Sequence, residues 1–262
     1  MKTVKSSLQA FLMSCLVAGW GLVYVGRIKW GIWVAALMYL GIVLLGVCGL
    51  IASPAGMYVF VAFIIVVKLV SAVMATVLAR RYNGPHGIPR VRFHVCYVVV
   101  LTLITLTVLG GLRNPLLGYQ NYFVSSGSMV PTLSIGDYIV SDTHAGSPKV
   151  GDIVVYRYNE TEATKRVAGV AGDTLAIVDG DLIRNGENLG LFHAPAQRVK
   201  KDYSRQLAPL TVEPGHVYLL GDNRDVSNDS RFMGQVELKD VVGKVTGIWF
   251  SNEWSRMGTT FP

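Results

Sequence analysis

A chain of 262 residues has room for one or two domains, and with 51 % hydrophobic and only 16 % charged residues it is too apolar for an ordinary soluble protein. Its net charge of +7 is unevenly spread: residues 1–120 hold 10 Lys/Arg and no Asp or Glu, whereas the remainder holds 14 Lys/Arg and all 17 acids. A basic excess confined to the apolar half removes the support for a nucleic-acid partner and points instead to a lipid bilayer.

Residues 8–25, 31–52, 57–79 and 95–112 are apolar runs of about 20 residues, the length that crosses a bilayer. The first follows Lys2 and Lys5 as a signal peptide would, but it ends in Val23-Tyr24-Val25-Gly26-Arg27 and lacks a small-residue cleavage site, so it is expected to be retained. Residues 80–94 carry Arg80, Arg81, Arg90 and Arg92, and residues 26–30 carry Arg27 and Lys29; the positive-inside rule makes both loops cytoplasmic. The uncharged 53–56 loop then belongs to the outer face, and everything beyond Arg113 lies outside. Four spans put the N-terminus outside as well. A re-entrant or interfacial first run leaves three spans and the same sidedness for the C-terminal half. Lys68, near the middle of the third run, is a functional candidate by its position, with bundle packing or snorkelling as the plainer role. Cys15, Cys48 and Cys96 sit in apolar runs without metal-ligand spacing and are expected to pack as small apolar residues.

From Tyr122 the period changes. Tyr138-Ile139-Val140, Asp152 to Tyr156, Thr174 to Val178 and Val217 to Leu220 are short β-branched or aromatic runs. Gly136-Asp137, Gly151-Asp152, Gly172-Asp173, Asp179-Gly180 and Asn185-Gly186 punctuate them. The expected fold is therefore a set of N-terminal transmembrane α-helices over 1–113, followed by a mostly antiparallel all-β domain over 114–262. Residues 191–210 are expected as a polar surface excursion. Trp249 and Phe250 are expected to close the β core, and Trp254 to lie free for the bilayer interface.

The stretch Ser125-Ser126-Gly127-Ser128-Met129-Val130-Pro131-Thr132-Leu133 stands where the apolar half meets the β half, and Ser128 is the candidate nucleophile. A serine hydroxyl needs a base. His144, His193 and His216 are the histidines of the β half, none in a recognisable catalytic setting. Lys165 is the other candidate, because burial lowers a lysine's pKa and frees its lone pair.

Four blocks, taken together, resemble the conserved boxes of the type I signal peptidases, the Ser/Lys membrane proteases. They are Ser126 to Leu133, Gly151 to Tyr156 (Gly-Asp-Ile-Val-Val-Tyr), Lys165 to Asp173 (Lys-Arg-Val-Ala-Gly-Val-Ala-Gly-Asp) and Gly221 to Arg231 (Gly-Asp-Asn-Arg-Asp-Val-Ser-Asn-Asp-Ser-Arg). The resemblance covers about residues 122–250 and implies a signal-peptidase-like β fold. It implies Ser128 as nucleophile and Lys165 as general base. It also implies Ser126 as a hydroxyl donor to the oxyanion hole, Ser227 as the hydroxyl that orients the lysine, and Asp229 with Arg231 as a supporting ion pair. Ala171, where the family commonly has proline, and Phe232-Met233 depart from the pattern. The short span between Asp173 and Gly221 implies a small second β subdomain.

On that resemblance the expected activity is removal of N-terminal signal peptides from exported preproteins at the outer face of a bacterial inner membrane. The export machinery is a candidate partner, and the substrate is expected to add as a strand beside residues 122–126. No metal or organic cofactor is expected, since neither a His-Glu-x-x-His pattern nor a cysteine pair is present. The rivals are a dedicated maturation peptidase of pilus or conjugation type and a catalytically inactive, membrane-tethered β binding module. A self-cleaving repressor-type regulator is excluded by the apolar runs.

Overall fold

The computed structural model describes residues 6–81 and 90–262, so Lys2, Lys5 and positions 82–89 of the expected cytoplasmic loop lie outside the described residues. The chain forms two compact units, one from residues 1–51 and 56–118, the other from residues 52–55 and 119–262.

The first unit is helical. The first apolar run is not one helix. It breaks into α1 (Ser7–Leu16) and α2 (Trp20–Tyr24) around Gly19, which adopts a left-handed φ of 75°. A side chain at Gly19 would collide with the Gly31 carbonyl, and one at Gly21 with the Ala10 carbonyl, so glycine at both positions lets the pieces fold tightly together. The Ser14 hydroxyl accepts the Gly21 N–H at 3.1 Å and ties the two pieces to each other. Among the described residues three helices remain that are long and apolar enough to cross a membrane: α3 (Ile28–Val47), α4 (Pro54–Arg80) and α5 (Val91–Leu106), the last continuing through a π-helical turn to Gly111. Their side chains are apolar all round, as a lipid-facing helix requires, and Trp33, Leu40 and Val47 are among those left exposed. The expected loops shrink accordingly: α3 starts within the 26–30 loop, and Pro54 opens α4 at a position that suits a residue without an N–H.

The second unit is a mostly antiparallel β domain. Its strands are β1 (Tyr119–Phe123), β2 (Tyr138–Asp142), β3 (Ile153–Tyr158), β4 (Thr161–Val170), β5 (Thr174–Val178), β6 (Asp181–Arg184), β7 (Glu187–Asn188), β8 (Leu207–Thr211), β9 (His216–Leu220), β10 (Val236–Glu237) and β11 (Val241–Phe250). A seven-stranded sheet runs β1-β2-β11-β3-β4-β9-β10, and a small four-stranded sheet runs β7-β6-β5-β8. The Asp-Gly and Asn-Gly pairs make the turns their chemistry favours. Asp179 and Gly180 (φ 51° and 99°) join β5 to β6, and Asn185 and Gly186 (φ 52° and 84°) join β6 to β7. β3 is buried on both faces: Ile153 and Val155 pack with Met129, Leu133 and Ile139, while Val154 and Tyr156 pack with Val167 and Leu219.

Two expectations about this unit change. Residues 191–210 are not merely a surface excursion: Ala194, Val199 and Ser204 are buried, α6 (Asp202–Arg205) forms, and β8 completes the small sheet. Phe250 does not close the core. It is 44 % exposed, its ring 5.6 Å from that of Tyr138, at the end of β11 where the sheet has no cover. The last helix, α7 (Ser230–Met233), follows the loop after β9.

Candidate active site

Ser128 sits in a tight turn between β1 and β2. The turn is fixed from below by Met129 and Leu133, both fully buried in the core, and internally by the Leu133 N–H donating to the Met129 carbonyl at 2.9 Å. The Val130–Pro131 peptide bond is cis. From the loop after β9, Asn223 clamps the same turn twice: its side-chain amide donates to the Gly127 carbonyl at 2.9 Å and its backbone N–H to the Ser128 carbonyl at 3.0 Å. Two peptide carbonyls flanking the serine are thereby taken by one residue, which leaves the hydroxyl as the movable part.

Lys165 lies in the middle of β4 and is 5 % exposed. Its Nζ stands 2.9 Å from Ser128 Oγ and 3.0 Å from the Thr164 carbonyl. Burial holds its pKa below the ordinary lysine range, working against the Asp229 and Asp222 carboxylates, which favour the ammonium. With Nζ neutral, its lone pair accepts the serine O–H, the arrangement of a nucleophile with its base. The Ser126 hydroxyl is 3.2 Å from Ser128 Oγ. Of the histidines in this unit, none bonds to Ser128: His216 Nδ1 sits 3.0 Å from the Pro214 carbonyl, and the Ser128 hydroxyl meets only Lys165 and Ser126.

The block from Gly221 to Arg231 forms the floor. Asp229 accepts the Gly221 N–H at 2.9 Å and pairs with Arg231 at 2.8 Å; both side chains are buried. Arg231 also donates to the Arg224 carbonyl at 2.8 Å, closing the loop on itself. Ser227 is buried and packs against Gly221; a side chain at Gly221 would strike it and approach the Ser128 carbonyl at 2.7 Å. Among the described residues the Ser227 hydroxyl has no hydrogen-bond partner, so it is not bonded to Lys165 as the resemblance implied.

Three residues inside the quoted blocks had no role assigned from sequence and prove central. Arg166 and Asp222 form a two-armed pair, Nε to Oδ1 at 2.9 Å and Nη2 to Oδ2 at 2.7 Å, with both side chains almost wholly buried. The Thr132 hydroxyl donates to the same carboxylate, so the pair joins the serine turn, β4 and the β9 loop. Arg224, fully buried, donates to the carbonyls of Gly221, Leu191 and Phe192; burial, with Arg231 beside it, pushes its pKa down to about 10. Adjacent basic residues in Lys165-Arg166, and an Asp-Asn-Arg-Asp run just after an apolar β9, are the sequence signals that could have marked them, since a buried charge is tolerated when it is paired.

A cavity of about 240 Å³ opens over the serine, walled by Tyr122, Phe123, Val124 and Ser126 on one side and by Thr164 and Lys165 on the other. β1 is the outer strand of the large sheet, and its Tyr122 and Phe123 form part of the cavity wall.

A mostly antiparallel β domain follows helices of membrane-spanning length and holds a serine hydroxyl against a buried lysine, an arrangement that suits the class of serine hydrolases. The family description "Signal peptidase, peptidase S26" matches residues 94–250, and the chain belongs to that family. It is 31 % identical over 184 residues to signal peptidase I of Pseudomonas aeruginosa, covering 50 % of this chain and 65 % of that one. It is 33 % identical over 140 residues to signal peptidase I of Bacillus caldolyticus, covering 48 % of this chain and 77 % of the relative. A solved signal peptidase I from Enterococcus faecalis is 30 % identical and covers 38 % of this chain and 98 % of its own, with a TM-score of 0.34. The chain spans 65 % of the length of the Pseudomonas relatives it matches.

Proposed function

We propose that this chain is a membrane-bound serine endopeptidase that uses Ser128 and Lys165 to cleave N-terminal signal peptides from exported preproteins. Residues 1–113 serve as the anchor, and residues 114–262 as the catalytic domain on the extracytoplasmic side of a bacterial inner membrane. The observation that carries the proposal is the 2.9 Å contact between Ser128 Oγ and the Nζ of a lysine whose pKa burial lowers.

The chemistry follows from that contact. Lys165 Nζ takes the Ser128 proton as Oγ attacks the carbonyl carbon at the end of the signal segment. The oxyanion that forms accepts hydrogen bonds from the Ser128 N–H and the Ser126 hydroxyl; one such donor is worth about 3–4 kcal/mol in the transition state. When the intermediate collapses, the C–N bond breaks and the Lys165 ammonium protonates the leaving amine, the new N-terminus of the passenger. A water then gives its proton to Lys165 and attacks the Ser128 ester. Collapse of the second oxyanion releases the signal peptide's carboxylate and returns the proton to Oγ. Asp229 and Arg231 brace the loop beneath the serine, Asp229 also favours the lysine's ammonium once it forms, and Ser227 packs against Gly221 under the Ser128 carbonyl. The substrate pairs as an added strand along β1, which leads it across the cavity to Ser128. Partners are therefore preproteins and the bilayer, with the export machinery supplying substrate.

The direct test is cleavage of a preprotein bearing Ala-x-Ala before the junction by the detergent-solubilised chain. Cleavage at the junction, lost in Ser128→Ala, is the expected result. A wild-type chain that leaves the junction intact would shift the reading to a dedicated maturation peptidase or a binding module.

The pH dependence has a definite sign. Lys165 works as the free amine, and the fraction of free amine grows as pH rises through its pKa. Burial lowers that pKa, so the ascending limb of kcat against pH should have its midpoint below the ordinary lysine value. A limb centred at or above that ordinary value would mean that the amine titrates as if in water.

A further inference from the structure

We infer that the helical unit carries a docking site for an acidic transmembrane helix of another protein, centred on Lys68. The inference rests on α3, α4 and α5 being membrane spans and not on the peptidase activity. Lys68 lies midway along α4, 14 residues after Pro54 and 12 before Arg80. At about 1.5 Å per residue it stands some 18–21 Å from either end of the helix, the deepest position available to it. Its ammonium does not run toward a helix end. Nζ donates to the Leu16 carbonyl at 3.2 Å, at the last turn of α1 where the first apolar run breaks.

That contact uses one of three ammonium N–H groups, and no acceptor among the described residues takes the others. The ammonium borders a cavity of about 240 Å³ among α1, α3, α4 and α5. The polar groups lining it are Lys68, Tyr39, Thr102 and Thr105. Tyr39 is already engaged with the Leu101 carbonyl at 3.0 Å and with the Thr105 hydroxyl at 2.6 Å. Broken helices that line a polar cavity at membrane depth are a recurring way to build a binding site.

Elimination then identifies the occupant. A cation in a bilayer needs a counter-charge. Residues 1–120 contain no Asp or Glu, so the helical unit cannot supply one, and neither can the helical unit of a second copy. Lipid phosphates lie at the edge of a hydrocarbon layer about 30 Å thick, beyond the reach of a group at its middle. The carboxylate must arrive on a membrane-spanning segment of a different chain, carrying one Asp or Glu at mid-height.

The test uses the full chain in phosphatidylcholine vesicles and a fluorescent Leu/Ala helix of about 20 residues with one central glutamate, beside its glutamine twin. Energy transfer to a label at the C-terminus of the chain reads association. The glutamate helix should associate roughly tenfold more tightly than its glutamine twin. Lys68→Gln should erase that preference, and Lys68→Arg should keep it. Equal association of the two helices overturns the inference, as does a preference that survives Lys68→Gln. Loss of the preference on adding phosphatidylglycerol would assign the ammonium to lipid and overturn it too. Should Lys68→Gln fail to fold because α1 loses a contact, the glutamate-against-glutamine comparison on the unaltered chain still decides.

Discussion

Lys165→Met should lower kcat for preprotein cleavage about 10³-fold, within the range of about 10²–10⁴ that loss of a general base produces. Methionine keeps an unbranched apolar stem and removes the amine, so the space beside Ser128 stays filled. KM should change little, because the backbone edge of β1 is untouched, and the ascending pH limb should vanish with the group that titrates. Thermal stability should hold or rise, since a buried amine held below its ordinary pKa is a destabilising group wherever the unfolded chain would bind the proton. Lys165→Arg should not rescue activity, because a guanidinium stays protonated at any working pH. Near-normal turnover in Lys165→Met would remove the lysine from the mechanism and return attention to His144, His193 and His216.

Asp222→Asn should be the most destabilising conservative change in the β domain, by about 3–5 kcal/mol, because it leaves the Arg166 guanidinium buried without its counter-charge. Both arms of the pair are short and both side chains are nearly inaccessible, so water cannot replace what is lost. For a unit of this size such a loss lowers the melting temperature by about 10 °C or more, measurable by calorimetry of the detergent-solubilised chain. Activity should fall with stability, since the next residue, Asn223, holds the carbonyls of Gly127 and Ser128. An effect below about 1 kcal/mol would mean that Arg166 finds other acceptors, and would reduce the pair to an ordinary surface bridge.

Much of the β domain was legible because its signals are local. Asp179-Gly180 and Asn185-Gly186 announce left-handed turns, and strands appear on either side of both. The β3–β4 turn was not legible. It uses Asn159 and Glu160 in left-handed conformations, and a glutamate gives no warning of that. The nucleophile turn and Lys165 could be proposed as a pair because the blocks that contain them are dense in unusual residues. The Arg166–Asp222 pair could not, since nothing in the spacing of residues 56 apart says that they meet. The first apolar run could be read as a span or as a re-entrant segment, and its break could not be placed, for a related reason. Hydropathy averages over the run, whereas the break is set by the glycines at 19 and 21 against Gly31 and Ala10, contacts that exist only once the helices pack.

The strand that borders the cavity is short. Five residues of β1, at about 3.3 Å each, offer about 17 Å of backbone for pairing. A partner can use that edge only while its own backbone is unpaired and extended. If the chain cleaves exported preproteins as proposed, a nascent passenger meets this condition beside its junction. Once it has folded, its amides and carbonyls are committed elsewhere. On that reading strand addition acts as a clock: it admits young chains and ignores mature ones, so finished proteins nearby are spared without any need to inspect their side chains.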